Sequence, residues 1–295
     1  MIKELLAYIK REYELIDPID YVLYPSRAGT LMTVGIYSNG NLSLVAKFGG
    51  TEEHNHLALA LQKKLSLVDN ALRGTELEGT TPTPLGIVKI DDRCCSIEKA
   101  LSGEPGNKYA GVLLHKRRIK TVLKRTVDWM IGFQQNFTSI PTLDGDMIGL
   151  IGQSDRTKGI HDHLGVGPMH RDLVISNVLI TKKGDYTNII DWEDFALGGF
   201  PIVDLISLSV SIAALVFGEN PFERVFYERN WLSISVYQEL SRYARTLNYD
   251  VMTIKRNIPI YLNHSIMMTK RWYNMKWYNE LKELSNSYDP SYVIW

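Results

Sequence analysis

Apolar positions along this chain follow two periods, and the period changes as the chain proceeds. Residues 2–15, IKELLAYIKREYEL, mix apolar and charged positions at helical spacing and predict an amphipathic first helix. In residues 21–48, β-branched and aromatic residues cluster around two turn signals, SRAGT and SNGN. That predicts three antiparallel strands. Asn39-Gly40 is the sharper turn signal, because a two-residue primed turn needs positive φ at both central positions. Residues 52–67 return to a helical period, with Leu57, Leu61 and Leu65 four apart. TPTPLGIVKI (residues 81–90) and RCCSIEKA (residues 93–100) read as two further short strands. Residues 109–137 predict a long helix or a helix pair, with Ile119, Leu123, Val127 and Ile131 on one face and Lys116, Lys120 and Lys124 on another. Residues 143–167 carry no period and read as a loop. YTNIIDWED reads as a strand running into a turn, and from residue 201 onward the chain is mostly helical. LISLSVSIAALVFG is expected to be a buried core helix. A β-rich first third before a helical remainder is the order of an α+β protein with segregated halves.

The 295 residues are enough for two lobes with a sizeable core, and the expected division is 1–100 and 101–295. Lys plus Arg and Asp plus Glu are 33 each, so no net charge argues for nucleic acid or an anionic membrane as partner. The only two cysteines, Cys94 and Cys95, are adjacent and cannot staple distant segments, which suits a reducing, cytoplasmic setting. The first residues are charged and amphipathic, unlike a signal peptide, and no stretch approaches the ~18 uncharged apolar residues of a spanning helix.

The chemistry concentrates in two short segments. MHRDLVISNVLI places His170, Arg171, Asp172 and Asn177 together beside an apolar run, and IIDWE places Asp191 fourteen residues after Asn177. Phosphoryl transfer from a nucleotide needs hard oxygen ligands for magnesium and a carboxylate to accept the proton of the attacking hydroxyl. The first segment offers the base and the amide, and the second offers another carboxylate. The apolar runs Val178-Leu179-Ile180 and Ile189-Ile190 could pair as a hairpin that brings the two ends together. Upstream, Lys47 lies in LVAKF at the end of the third strand, where it is expected to point away from its apolar neighbours Val45, Ala46 and Phe48 and could reach α- and β-phosphates. Such a lysine needs an acidic partner. Glu53, opening the next helix, is the expected one, with Glu52 as the alternative.

These segments, VAKF, IEKALSGEP, HRDLVISNVLI, IIDWED and GGFPIVDL, resemble the aminoglycoside phosphotransferase and choline kinase family across residues 21–205. The resemblance implies a bilobal protein-kinase-like fold, with a small β-rich N-lobe that binds the nucleotide and a larger helical C-lobe that carries the catalytic loop and acceptor site. It implies ATP and Mg as cofactors and a small-molecule acceptor. Asp172 would be the base, Asn177 and Asp191 would hold magnesium, and Lys47, paired to Glu53, would contact phosphates. Ile97 would border the adenine pocket, and the backbone of Glu98 and Ala100 would bond the base edge. Ser26, Gly29 and Thr30 would belong to the turn that covers the phosphates. Asp204 would tether the catalytic loop from the next helix, and His170 would pack beneath it.

One residue departs from the pattern. The small-molecule kinases usually carry a small residue, often glycine, where this chain has Arg171, and HRD is the protein-kinase spelling. In protein kinases that arginine often pairs with a phosphate on the activation segment. Residues 191–204, DWEDFALGGFPIVD, contain no Ser, Thr or Tyr, so Arg171 is expected to pair with Glu193, Asp194 or a carbonyl of that turn, with an anionic group on the acceptor as the alternative. The expected function is therefore transfer of a γ-phosphoryl group to a small-molecule hydroxyl. An atypical protein Ser/Thr kinase and a nucleotide-binding pseudokinase are the alternatives. His161, Asp162 and His163 read as a polar loop, the HKRRIK cluster as a solvated helix face, and Trp272, Tyr273, Trp277 and Tyr278 as a core-facing stripe.

Overall fold

The computed structural model describes residues 1–24, 31–111, 115–137, 167–181, 187–255 and 258. Ser26, Gly29, Thr30, the expected loop up to residue 166 with its two histidines, and the C-terminal aromatic stripe lie outside the described residues. The chain divides into two compact units, Met1–Gly103 with Asn188–Glu193, and Glu104–Thr187 with Asp194–Trp295.

The first unit is built on a five-stranded antiparallel sheet. Its strands are β1 (Ile19–Tyr24), β2 (Leu31–Ser38), β3 (Asn41–Gly49), β4 (Thr83–Ile90) and β5 (Arg93–Lys99), in the order β1-β2-β3-β5-β4. The β2–β3 turn is the one the sequence predicts: Ser38 faces Asn41, and Asn39 and Gly40 both have positive φ, 49° and 74°. Alternation then sorts the side chains. Val34, Ile36, Leu44, Ala46, Phe48, Cys95 and Ile97 pack with Leu5 and Ile9 of α1 (Ile2–Glu12) into one buried cluster. The alternate residues of β3 and β5, Lys47, Ser96 and Glu98, belong to the opposite face, where Ser96 Oγ lies 2.7 Å from the side chain of Gln62 in α2 (Asn55–Leu72). The buried stripe of α2 is Ala58, Leu61, Leu65, Val68 and Leu72, so the helix runs one turn further than expected and Leu57 stands beside its core line rather than on it. Residues 188 and 189 each bond to the rest of this unit. Ile189 N–H donates to the Thr80 carbonyl at 2.9 Å, and the Asn188 amide donates to Ser102 O at 2.8 Å.

The second unit is helical. It contains α3 (Gly106–Ala110), α4 (Lys116–Phe137), α5 (Ile202–Phe217), α6 (Pro221–Phe226) and α7 (Trp231–Thr246), with short strands β6 (Glu104–Pro105) and β7 (Val178–Ile180) paired antiparallel. The expected face of α4 is its core face: Ile119, Leu123, Val127 and Ile131 are all buried, while Lys116, Lys120 and Lys124 are exposed. Trp129 stacks on Phe133 with ring centroids 4.7 Å apart. Helix α5 is buried along most of its length, as its apolar run predicts. Asn230 caps α7 by accepting from the amides of Leu232 and Ser233, while the Ser233 side chain reaches back to the Asn230 amide. Among the described residues no helix is long and apolar enough to cross a membrane.

Candidate active site

The loop that opens with His170 is held from beneath by α5. The buried carboxylate of Asp204 accepts the amides of His170 at 2.7 Å and Arg171 at 2.8 Å. Two helical turns later, Ser211 Oγ accepts the Ile175 amide at 3.0 Å. Residues seven apart lie on one helical face, so one side of α5 clamps both ends of the loop. Asp204 is the tether the sequence suggested, whereas Ser211 was missed. Its signal was the heptad spacing from Asp204. At the entry, Met169 and Ala196 exchange backbone bonds of 2.9 and 3.0 Å, and Gln134 donates to the Pro168 carbonyl at 2.7 Å. A Cβ on Gly106 would meet the Ile175 carbonyl oxygen at 2.8 Å, so only glycine lets α3 come this close to the loop.

Within the clamp, Asn177 Nδ2 donates to the Asp172 backbone carbonyl at 2.9 Å and to its carboxylate Oδ2 at 3.1 Å. The amide nitrogen is thereby committed, which leaves Oδ1 as the hard donor this side chain offers a cation. His170 is 1% exposed and its Nδ1 accepts the Asp172 amide at 3.3 Å, a structural position. Burial pushes the Asp204 carboxyl up to about 7, while the two amides and Arg171 pull it down.

Arg171 has φ +70°, in the left-handed region. A bulky residue there is strained, which is the physical reason a glycine suits the position. Burial lowers the pKa of its guanidinium, and the charges of Asp194 and Asp204 offset that. Of the expected acids, Asp194 is the one whose charge acts on Arg171. Glu193 is engaged by Lys47. Both Arg171→Gly and Arg171→Ala lose the guanidinium, but only alanine keeps the backbone strain. In urea unfolding, Arg171→Ala should be the less stable of the two by about 1 kcal/mol. Equal losses would show that the left-handed backbone costs nothing here.

In the first unit, Lys47 is 5% exposed and its ammonium makes two ion pairs, with Asp191 at 2.9 Å and Glu193 at 3.0 Å. Burial works against its charge, and the attraction of Asp191, Glu98 and Glu193 outweighs this and raises its pKa. The expected pairing with Glu53 is corrected: Glu53 and Glu52 are both exposed in a short 3-10 turn ahead of α2. Lys47 reaches instead to acids far along the chain, a distance in sequence that local reading does not span. Asp191, like Arg171, has positive φ, +68°. Trp192 is buried and donates from Nε1 to the Ile189 carbonyl at 3.0 Å, which fixes the turn carrying Asp191 and Glu193.

Ile97 is buried in the cluster that faces α1, and Ala100 donates its amide to the Ser43 carbonyl at 3.0 Å. That amide serves the sheet, and the expected place of Ile97 at the nucleotide is corrected: its side chain lies on the face away from Lys47. Glu98 does more than its backbone suggests, because its carboxyl is buried beside Lys47. Burial lifts it to about 7, against the pull of Lys47 and with the help of Asp191 and Glu193. A folded pKa raised from the ordinary value of 4.5 stabilises below that value, and the contribution is lost as pH rises through about 7. The ligand-free protein should therefore lose melting temperature between about pH 5 and pH 8 more steeply than Glu98→Gln. Parallel profiles would place the Glu98 carboxyl in water.

Among the described residues no group of three or more His, Cys, Asp or Glu side chains forms a metal cage. Magnesium needs none, since one or two protein oxygens plus phosphates suffice.

No family model matches the chain, and no curated protein matches it by sequence. Solved structures do. Amicoumacin kinase hAmiN, solved with AMP-PNP, Ca2+ and Ami, is similar with TM-score 0.61 at 10% identity, over 98% of this chain and 95% of that one. Aminoglycoside phosphotransferase APH(3'')-Id from Streptomyces rimosus is similar with TM-score 0.53 at 10% identity, over 85% of this chain and 93% of that one. Plasmodium vivax ethanolamine kinase is similar with TM-score 0.52 at 12% identity, over 97% of this chain and 86% of that one. The chain thus has the kinase-like fold of the aminoglycoside phosphotransferases and the small-molecule kinases related to them, the fold its motifs resemble.

Proposed function

We propose that this protein is a small-molecule kinase that moves the γ-phosphoryl group of ATP to a hydroxyl, with magnesium. The observation that carries this reading is the catalytic loop, where Asp172 and Asn177 are locked together and the loop amides hang on the buried Asp204. A base and a hard oxygen donor are thereby held in one fixed relation. Asp172 accepts the hydroxyl proton as the acceptor oxygen bonds to the γ-phosphorus and the bond to ADP breaks. Lys47 offsets phosphate charge. Asn177 and Asp191 are the proposed magnesium ligands, and the bound ion neutralises the phosphates. In this reading the main chain at Glu98 and Ala100 borders adenine, while Ile97 packs on the α1 face, away from Lys47. Catalysis is mostly positioning and charge neutralisation, because the transition state is loose.

The neighbours in fold are named for small molecules, and two were solved with AMP-PNP or with ADP and streptomycin, which supports an adenine nucleotide and a small acceptor. Residues 205–295 carry ten Lys plus Arg against eight Asp plus Glu, a poor match for a polycationic antibiotic. A sugar, an amino alcohol or a related metabolite fits better. The nucleotide donor and the adjacent thiols both suit the cytoplasm. The test is a screen for magnesium-dependent ADP release over sugars, amino alcohols and aminoglycosides. Release stimulated by one hydroxyl class is expected. A protein that neither binds nor turns over any adenine nucleotide would rule the reading out.

A further inference from the structure

Helix α2 cannot supply the acid that a phosphate-binding lysine needs. Its only acidic residue, Asp69, is paired with Arg73 at 3.0 Å, and Glu52 and Glu53 ahead of it are exposed. The helix offers a cation instead: Lys64 Nζ donates to the main-chain carbonyl of Glu193. The Glu193 carboxylate in turn lies 3.0 Å from Lys47, and its side chain is 16% exposed against 32% for Asp191. Charge is therefore arranged the other way round from the sequence expectation, with the basic side chain on the helix and the acid on the turn.

We propose that Glu193 is the residue that positions Lys47 for the nucleotide phosphates, and that Lys64 of α2 steadies the Glu193 turn. This rests on the small-molecule kinase reading. Asp191 and Glu193 both hold Lys47, but they are not equivalent. An Asp191 oxygen engaged as a metal ligand is no longer given wholly to Lys47, and Glu193 then remains as its acid. The buried Trp192 between them, anchored to the Ile189 carbonyl, keeps both carboxylates on the same cation. A lysine has a long flexible stem. Held in advance by Glu193, it loses less freedom when phosphates arrive.

Lys47 would touch the α- and β-phosphates before and during transfer, so its positioning is expected to act on binding more than on the chemical step. Glu193→Gln keeps the shape and removes the charge. AMP-PNP affinity measured by calorimetry should fall roughly ten-fold. The KM for ATP should rise in step, with kcat within about three-fold of wild type. Lys64→Gln should move both in the same direction by less. A residue that only stabilises the fold would lower the melting temperature without this split. Should Glu193→Gln not fold, Glu193→Asp, which keeps the charge but retracts it by one methylene, is measured against the same criteria. Affinity and KM within about two-fold of wild type, or a larger loss in Glu53→Gln than in Glu193→Gln, would overturn the inference while leaving the kinase reading intact. Wild-type protein that binds no AMP-PNP would overturn both.

Discussion

Replacing Asp172 with asparagine should leave nucleotide binding intact and cut turnover by about 10²–10⁴-fold, the usual scale for general acid–base catalysis. The substitution is nearly isosteric. Asn177 keeps its 2.9 Å bond to the residue 172 carbonyl, and the new side-chain oxygen can take the place of Oδ2 as an acceptor. The clamp from Asp204 and Ser211 reaches backbone amides and does not depend on the side chain at 172. What disappears is a group able to accept the hydroxyl proton. A loose transition state asks less of the base, which would put the loss near the low end. Steady-state kinetics with AMP-PNP binding in parallel check this. A variant that retains more than about a tenth of wild-type kcat would remove Asp172 from the role.

Lys47→Met should cost about 3 kcal/mol of stability before any nucleotide is added. Removing one partner of a buried ion pair typically costs ~3–5 kcal/mol, because the other charge is left uncompensated. Here two carboxylates, Asp191 at 2.9 Å and Glu193 at 3.0 Å, share the one ammonium. Asp191 is a third exposed and so partly hydrated, which favours the lower end of that range. Urea unfolding of the ligand-free protein measures it. Adding Glu193→Gln to Lys47→Met should recover part of the loss, since it removes one of the stranded carboxylates. A Lys47→Met protein within about 0.5 kcal/mol of wild type would mean that water already satisfies the cluster.

Much of this arrangement could be read along the chain, for reasons that differ by residue. The β2–β3 turn was legible because Asn39-Gly40 fixes φ locally, and the α4 core face was legible because its apolar residues recur at helical spacing. Asp172, Asn177 and Asp191 stood out because their residue types match one chemistry in one order. The acid for Lys47 was not legible. Glu53 is six residues away and Glu193 is 146, and only the tertiary fold makes the second near. The Glu98 side chain was open to a closer reading, since in β5 it alternates with Ile97 and must face the side Lys47 faces. The strain at Arg171 left no mark in the sequence beyond an arginine where glycine would be easiest.

The central claim is that a phosphate ester forms on the acceptor. Wild-type protein, magnesium, ATP and the best acceptor from the screen can be followed by phosphorus NMR, with Asp172→Asn and a chelator as controls. One ester per ADP is expected from the wild type, with ester formation collapsing in both controls. ADP that appears with free phosphate and no ester, or ester formed as fast by Asp172→Asn as by wild type, would contradict it.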